Sequence, residues 1–500
     1  MSKHSKLCCL ASFFIPFFLI TNYNLNHWYV FGAYMLDSGW FSFLASHASF
    51  PSMANPPSIG GTYLETHFSP IFWILSFIKS FIESLPDNVF FAMLQGLWVG
   101  IISICIFFLS KKITNSNLIS LIASLAGAFN GIVLAIIGFP HFEIAIPAFL
   151  ILTLTLLSIE KRCYACICLS IFLLLVIRED AGLHAFGLFI LISVYFKIKN
   201  NKAEAIKYLT LAVVCAAYSL TAILFQKYFF SKGDNALARV YFGSPIYGHI
   251  GVEFIKDRLS FYIANRQYIL LPVLISLVYA VRNKNLLLCI GTLSVMPWLL
   301  FSISAFSLPA GALVSYYSFP IMIALLWPTI STHIQKQSDK RNVYLQIIIC
   351  TFSIFLLIGS QGLHDNNPFK KMGFNYAYVL LKTDRTISSI NHDLQKFGNV
   401  VVDDSIASFL TKSIKGGQWK YYGNFTDSDL AMVDTIFFFK DSWLSDTFEK
   451  IILKANLNNL YEVPGTKILC ASKNDLKKEG LNFSYLKLFC HQTDQKNKGY

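Results

Sequence analysis

The feature that most constrains this chain is a succession of long apolar runs, alternate ones ending in clusters of Lys and Arg. The first run, Leu7–Ile20, follows Lys3 and Lys6. The others cover about 88–110, 118–138, 144–159, 163–177, 181–196, 205–229, 267–281, 286–303, 312–330 and 343–360. A helix that is apolar all round must be buried or lie in lipid. With these runs counted as eleven spans, every even-numbered span leads into basic residues. The clusters are Lys111–Lys112, Lys161–Arg162, Lys197–Lys202, Arg282–Lys284 and Lys336–Arg341. Basic residues are held on the cytoplasmic side. The pattern predicts an all-α polytopic protein of the cytoplasmic (inner) membrane, with about eleven transmembrane helices and its N-terminus inside.

Composition agrees. Charged residues make up 14% and apolar residues 55%, where a soluble domain carries roughly 25% charge. This excludes a soluble globular enzyme, a disordered chain and a secreted disulfide scaffold. The net charge of +13 is explained by the cytoplasmic loops, and no basic stripe with interleaved aromatics points to nucleic acid.

Residues 23–66 contain no Lys or Arg, which marks an outer loop, here bounded as 23–87. Within it, the apolar stretch 68–82 is short and carries Lys79, so it reads as an interfacial or re-entrant helix. Counting it as a span would put every later basic cluster outside. The transmembrane domain is bounded as 1–362. The segment 363–500 mixes both signs of charge with short apolar runs, NVVVDDSIASFL, LAMVDTIFFF and TKILCAS. These read as strands of a small α/β domain, extracytoplasmic because it follows an odd number of spans. Of the eleven cysteines, most sit in apolar runs as small apolar residues. Cys163 and Cys166 have the spacing of a metal or redox pair, yet lie in such a run. Cys470 and Cys490 lie in the polar tail, where an outer location would permit a disulfide.

Charge beside a span costs roughly 2.5–3.5 kcal/mol per residue on insertion scales, so it calls for a reason. On this topology Asp37, Glu65, His67, His141, Glu143, Arg178, Glu179, Asp180 and the hydroxyls of Ser315, Tyr316 and Tyr317 all reach the outer boundary. They come from five separate stretches of chain. Each has an ordinary alternative. Asp37 suits a helix cap or turn, His67 a helix-capping interfacial residue, and His141 with Glu143 a cap of the fourth span. Arg178–Glu179–Asp180 suits a snorkelling cluster. The functional readings are a base or cation ligand at Asp37, an anion contact at His67, and a polar cavity at His141 and Glu143. Arg178 would bind phosphate while a carboxylate holds it. No P-loop, Gly-x-Gly-x-x-Gly, His-Glu-x-x-His or Gly-x-Ser-x-Gly is present. Asp403–Asp404 reads as a turn or cap.

Taken in order, Asp37–Ser–Gly39, Gly61–Thr–Tyr–Leu–Glu–Thr–His67–Phe–Ser–Pro70, Gln95, His141–Phe–Glu143, Pro147, Arg178–Glu–Asp–Ala181, Ser315–Tyr316 and Pro320 carry a resemblance. The chain resembles the prokaryotic membrane proteins of domain of unknown function 2079, over nearly its whole length. In the tail, Ala431–Met–Val–Asp434 resembles that family's Ala-Asp-Tyr-Val-like strand. The chain departs from the pattern at Arg178, where the family has Lys more often, and at Thr66, where it has Asp. The Thr66 change removes a carboxylate beside His67.

That family is grouped with the GT-C glycosyltransferases, which use polyprenyl-phosphate sugars at the outer face. The resemblance implies a GT-C-like architecture and sugar transfer from a polyprenyl-phosphate donor to a glycan, lipid or protein acceptor. Asp37 then stands at the acidic position of the first outer loop, as the base. Arg178, His67 and His141 would contact the phosphate. Glu143, Glu179 and Asp180 would orient these cations or bind acceptor, with Glu65 and Tyr316 completing the substrate site. No metal site is assigned; a carboxylate cluster admits Mg or Mn without demanding either. Two other readings stand beside this one. A transporter or flippase would show broken helices and internal symmetry, whereas here the polar residues gather at one face. A non-catalytic scaffold would depend on 363–500 and not on Asp37.

Overall fold

The computed structural model describes residues 3–31, 38–56, 60–136, 141–159, 163–231, 238–313, 315–335, 339–359, 397–402, 427–439, 445–463, 468–474 and 484–486. Helix α1 (Lys3–Phe31) lies along α4 (Asp87–Thr114). A Cβ on Gly96 would stand 2.4 Å from the Phe17 carbonyl oxygen, and one on Gly100 2.9 Å from the Phe13 ring. Small residues four apart let two helices approach closely where lipid supplies no hydrophobic drive. Between them, α2 (Ser38–His47) and α3 (Ile71–Ser80) pack on each other and on the start of α4.

Helix α5 (Asn117–Ala128) begins under a Ser116 cap that accepts the Ile119 N–H. It breaks before α6 (Gly131–Ile136). The break has a local cause: the Asn130 side-chain oxygen accepts the N–H groups of Ile132 and Val133 and so restarts the helix. Next come α7 (Ala145–Ser158), α8 (Tyr164–Leu175), α9 (Ala181–Ile198) and α10 (Lys202–Phe229). Helices α9 and α10 form a close pair, for a Cβ on Gly182 would meet the Cys215 carbonyl oxygen at 2.3 Å. Helix α11 (Val252–Asn265) turns by 89° into α12 (Gln267–Arg282). The corner is fixed by Arg266, whose Nε donates to the Ala312 carbonyl at 2.7 Å. Helices α13 (Leu286–Ile303), α14 (Leu308–Gly311), α15 (Met322–Gln335) and α16 (Lys340–Gly359) complete the bundle. Trp327 of α15 is fully buried and donates to the Leu287 carbonyl of α13 at 2.7 Å.

Among the described residues, eight helices are long and apolar enough to cross a membrane, or nine if α11 and α12 form one span. The other two expected spans appear as α7 and α8, of 14 and 12 residues. Both are shorter than the roughly 20 residues of a full crossing. The stretch expected to be interfacial is the 10-residue α3.

The tail is a five-stranded sheet of order β1-β2-β4-β3-β5. The strands are β1 (Val400–Val402), β2 (Thr435–Phe439), β3 (Asn459–Glu462), β4 (Ile468–Ser472) and β5 (Ser484–Leu486). Among the described strands, only β1 and β2 pair in parallel. Helix α17 (Asp427–Ala431) precedes β2, and α18 (Ser445–Lys454) covers one face with Phe448 and Ile451 against Val401, Ile436 and Phe438. This agrees with a small α/β unit. Cys470 is a free, buried thiol in β4; its suggested partner Cys490 lies outside the described residues, as do Asp403 and Asp404. Cys163 and Cys166 stand at the start of α8, where the run from 163 was expected, and their side chains are exposed.

Candidate active site

The site lies where the turns before α3, α7 and α9 meet. Its first piece hangs from a small hairpin. Ala54 and Thr62 form a bridge, and Gly60 and Gly61 turn the chain with φ of +72° and +67°. Such φ values favour glycine. A 3-10 turn, Tyr63–Glu65, follows. Gln226 of α10 donates to the Leu64 and Glu65 carbonyls at 3.2 and 2.9 Å. This delivers His67, whose Nδ1 meets Glu179 Oε1 at 2.8 Å. The Phe68 N–H donates to Glu179 Oε2 at 2.9 Å and the Ile71 N–H to the Val176 carbonyl at 2.8 Å. Segment 67–71 is thereby pinned to 176–179.

Arg178 is the centre. Its guanidinium takes Asp180 with two nitrogens, Nε to Oδ1 at 2.6 Å and Nη2 to Oδ2, and donates Nη1 to Glu143 Oε1 at 2.9 Å. Glu143 Oε2 also bonds His141 Nδ1. The His141 ring stacks on Tyr316 at 4.0 Å and meets Phe41 of α2 edge-on at 4.4 Å. Arg178 lies 5.9 Å from the Tyr316 ring centre. Arg178 is only 7% exposed and Glu143 4%, while His67 and Asp180 stay partly open. Burial opposes the charge on Asp180, but the Arg178 guanidinium outweighs it and holds the carboxyl below the usual carboxylate range. One fixed cation therefore faces three carboxylates.

The structure brings together His67, His141, Glu143, Arg178, Glu179, Asp180 and Tyr316. Glu65 sits in the hairpin turn two residues before His67. Asp37 lies outside the described residues; α2, which opens at Ser38, carries Phe41 to the His141 ring. The side chains of His141 and Asp180 make no cap bond, although both precede helical turns. His184 was missed by sequence reading. Its Nε2 lies 4.0 Å from Asp180 Oδ2 and its ring is edge-on to Trp298 at 4.9 Å. The i,i+4 spacing from Asp180 was the available signal.

His184 also lines a small cleft of about 20 Å³ between α7, α9, α13 and α15. Its other walls are mainly apolar, among them Ile146, Leu150, Leu188 and Trp298. No group of three or more His, Cys, Asp or Glu side chains is arranged to hold a metal among the described residues. The three carboxylates are turned to Arg178, the histidines and a backbone amide.

The family model for predicted membrane proteins, DUF2079, matches residues 41–385. The chain belongs to the DUF2079 family. The DUF2079 match includes every described site residue except the start of α2, and it leaves out Asp37 and the sheet. No curated protein matches the chain in sequence. Two solved structures from Archaeoglobus fulgidus match the chain in a structural comparison. One is the oligosaccharyltransferase AglB in complex with an inhibitory peptide and a dolichol-phosphate. It is 10% identical with a TM-score of 0.42, over 97% of this chain and 76% of that one. The other is an oligosaccharyltransferase in complex with Zn and sulfate, 12% identical with a TM-score of 0.33, over 95% and 72%.

Proposed function

We propose that this DUF2079 protein is a membrane glycosyltransferase of GT-C type. It moves a sugar from a polyprenyl-phosphate donor to a glycan, lipid or protein acceptor of the cell envelope, at the outer face of the cytoplasmic membrane. The observation that supports this reading is the gathering of acid–base side chains from four separate turns around one buried arginine. A phosphate-linked donor needs such a set of hydrogen-bonding groups for its head.

In the transfer, the acceptor oxygen or nitrogen bonds to the sugar carbon and the sugar–phosphate bond breaks. The acceptor proton goes to a base, and the phosphate leaves with its charge. Asp37 is the base in this proposal. His67 and His141 hydrogen-bond the phosphate beside Arg178, whose carboxylate partners fix its plane. Glu179 sets the His67 ring, Glu143 sets the His141 ring, and Tyr316 supports it by stacking. Asp180 and Glu65 complete the acceptor side. No step is routed through a metal ion.

The test is mass spectrometry of envelope glycans and polyprenyl-linked sugars. A deletion strain is compared with complements carrying the wild type, Asp37→Asn and Glu179→Gln, with protein levels matched. The expected result is one glycan lacking a sugar in the deletion and both variants, with its lipid-linked donor accumulating. Unchanged profiles in all strains would reject transfer. A donor that accumulates only on the cytoplasmic leaflet would make the protein a flippase.

A further inference from the structure

The exposed cysteine pair at the start of α8 is used by nothing in the proposed transfer. Cys163 is the N-cap residue of α8, and its Sγ accepts the Cys166 N–H at 3.4 Å. The Cys166 thiol donates to it, with the two sulfurs 2.8 Å apart. Both residues are exposed and both are free thiols. Two features set them apart from the other cysteines. Cys8, Cys105, Cys215, Cys350 and Cys470 are buried. Cys168, though exposed, stands two positions beyond Cys166 and so points to another side of the helix. The pair also follows Lys161 and Arg162 directly, which sets it at the water boundary and, by the charge pattern, on the cytoplasmic side.

We propose that Cys163 and Cys166 are a redox-active dithiol, a modification site that exchanges with small-molecule disulfides. The geometry supplies what exchange requires. A nucleophilic sulfur stands at a helix N-terminus, where backbone N–H groups favour the thiolate. A resolving thiol lies one turn further on, on the same face. The sulfurs need to close by under one ångström to reach a bond of about 2.05 Å. The Cys163 thiolate attacks one sulfur of the small disulfide, forms a mixed disulfide and releases one thiolate. The Cys166 thiolate then attacks the Cys163 sulfur and releases the second. The two cysteine protons pass to the released thiols, and two electrons pass to the small disulfide. In a reducing cytosol the resting form is the dithiol.

The experiment uses membranes holding the full-length protein, titrated with glutathione buffers of rising oxidised fraction, quenched in acid and alkylated. Trypsin cleavage after Arg162 and Arg178 releases 163–178, a single peptide with all three thiols. The expected product has lost two hydrogens, with Cys163 joined to Cys166 and Cys168 alkylated. Its half-point comes at a glutathione ratio at least tenfold less oxidising than the one that glutathionylates Cys168. With Cys166→Ser, Cys163 stops at the mixed disulfide with glutathione. Separate glutathionylation of Cys163 and Cys166 at the ratio that modifies Cys168, or alkylation of all three throughout, would overturn the proposal. The residues are exposed, so the serine variants are expected at wild-type protein levels, and the wild-type titration decides the matter without them.

Discussion

Two buried charge clusters can be compared, and they differ in balance. Beside α4, Asp87 bonds His47 Nε2 at 2.7 Å and lies 3.5 Å from Lys79 Nζ. Lys79 and Asp87 are each at most 5% exposed. One carboxylate there is matched by one lysine, and the three residues tie α2, α3 and α4 together. Around Arg178, one guanidinium holds two carboxylates, and a third, Glu179, holds His67. The first cluster is matched in charge, and its His47 is at least as open as His67. The second carries excess acid, a partly open aspartate, and a small, mainly apolar cleft at its edge. A pin and a site are thus told apart by unmatched charge, not by burial alone.

The comparison can be broken most forcefully at Arg178. Arg178→Ala leaves the buried Glu143 and the half-buried Asp180 without their cation, a loss of about 3–5 kcal/mol. The expected outcome is a large drop in thermal stability in detergent together with complete loss of transfer. Arg178→Lys should recover much of the stability and little of the transfer, because lysine offers no planar fork. Asp87→Asn tests the other side. It weakens the pin around Lys79 and should lower the melting temperature, while transfer per folded molecule stays at the wild-type level. If transfer per folded molecule falls as far in Asp87→Asn as in Glu179→Gln, the distinction fails.

Glu179→Gln comes next. It keeps the shape but weakens two charge-assisted bonds, about 1.5–3 kcal/mol at most. The expected stability loss is small and the loss of transfer exceeds tenfold. The smallest effect is a pH dependence. The Asp180 carboxyl is held below its unfolded value of about 3.9. Its contribution is therefore full above that value and is lost as the pH falls through the lower, folded one. The stability gap between wild type and Asp180→Asn should be constant from pH 8 to pH 5 in thermal melts and shrink only below about pH 4.

Much of this was legible in the chain. Apolar runs and basic clusters gave the helices, and residues 67, 141, 143, 178, 179, 180 and 316 were already expected at one membrane boundary. Depth is readable because insertion costs sort charge to the ends of spans. Rotation about the helix axes is not, and it decides who meets whom. Nothing local announces that Arg178 reaches across to Glu143, or that His67 reaches Glu179 more than a hundred residues away. The exposure of Cys163 and Cys166 was hidden for the same reason: hydropathy gave the run from 163, but not which of its side chains face outward. The break at Asn130 followed from a side chain in competition with the backbone, which a hydropathy window averages away.

The glycine seam between α1 and α4 has a consequence for how the protein is made. Gly96 and Gly100 fit against Phe17 and Phe13, whereas Leu7, Leu10 and Phe18 point away from the bundle. Helix α1 is synthesised before α4, and its partner surface emerges about eighty residues later. At about 5–20 residues per second, the leading helix waits roughly 4–16 seconds in the bilayer before its docking partner exists. During that interval its phenylalanines are shielded only by lipid or by the insertion machinery. A bulky residue at Gly96 would extend that interval indefinitely, leaving an inserted but unassembled chain for membrane quality control to remove.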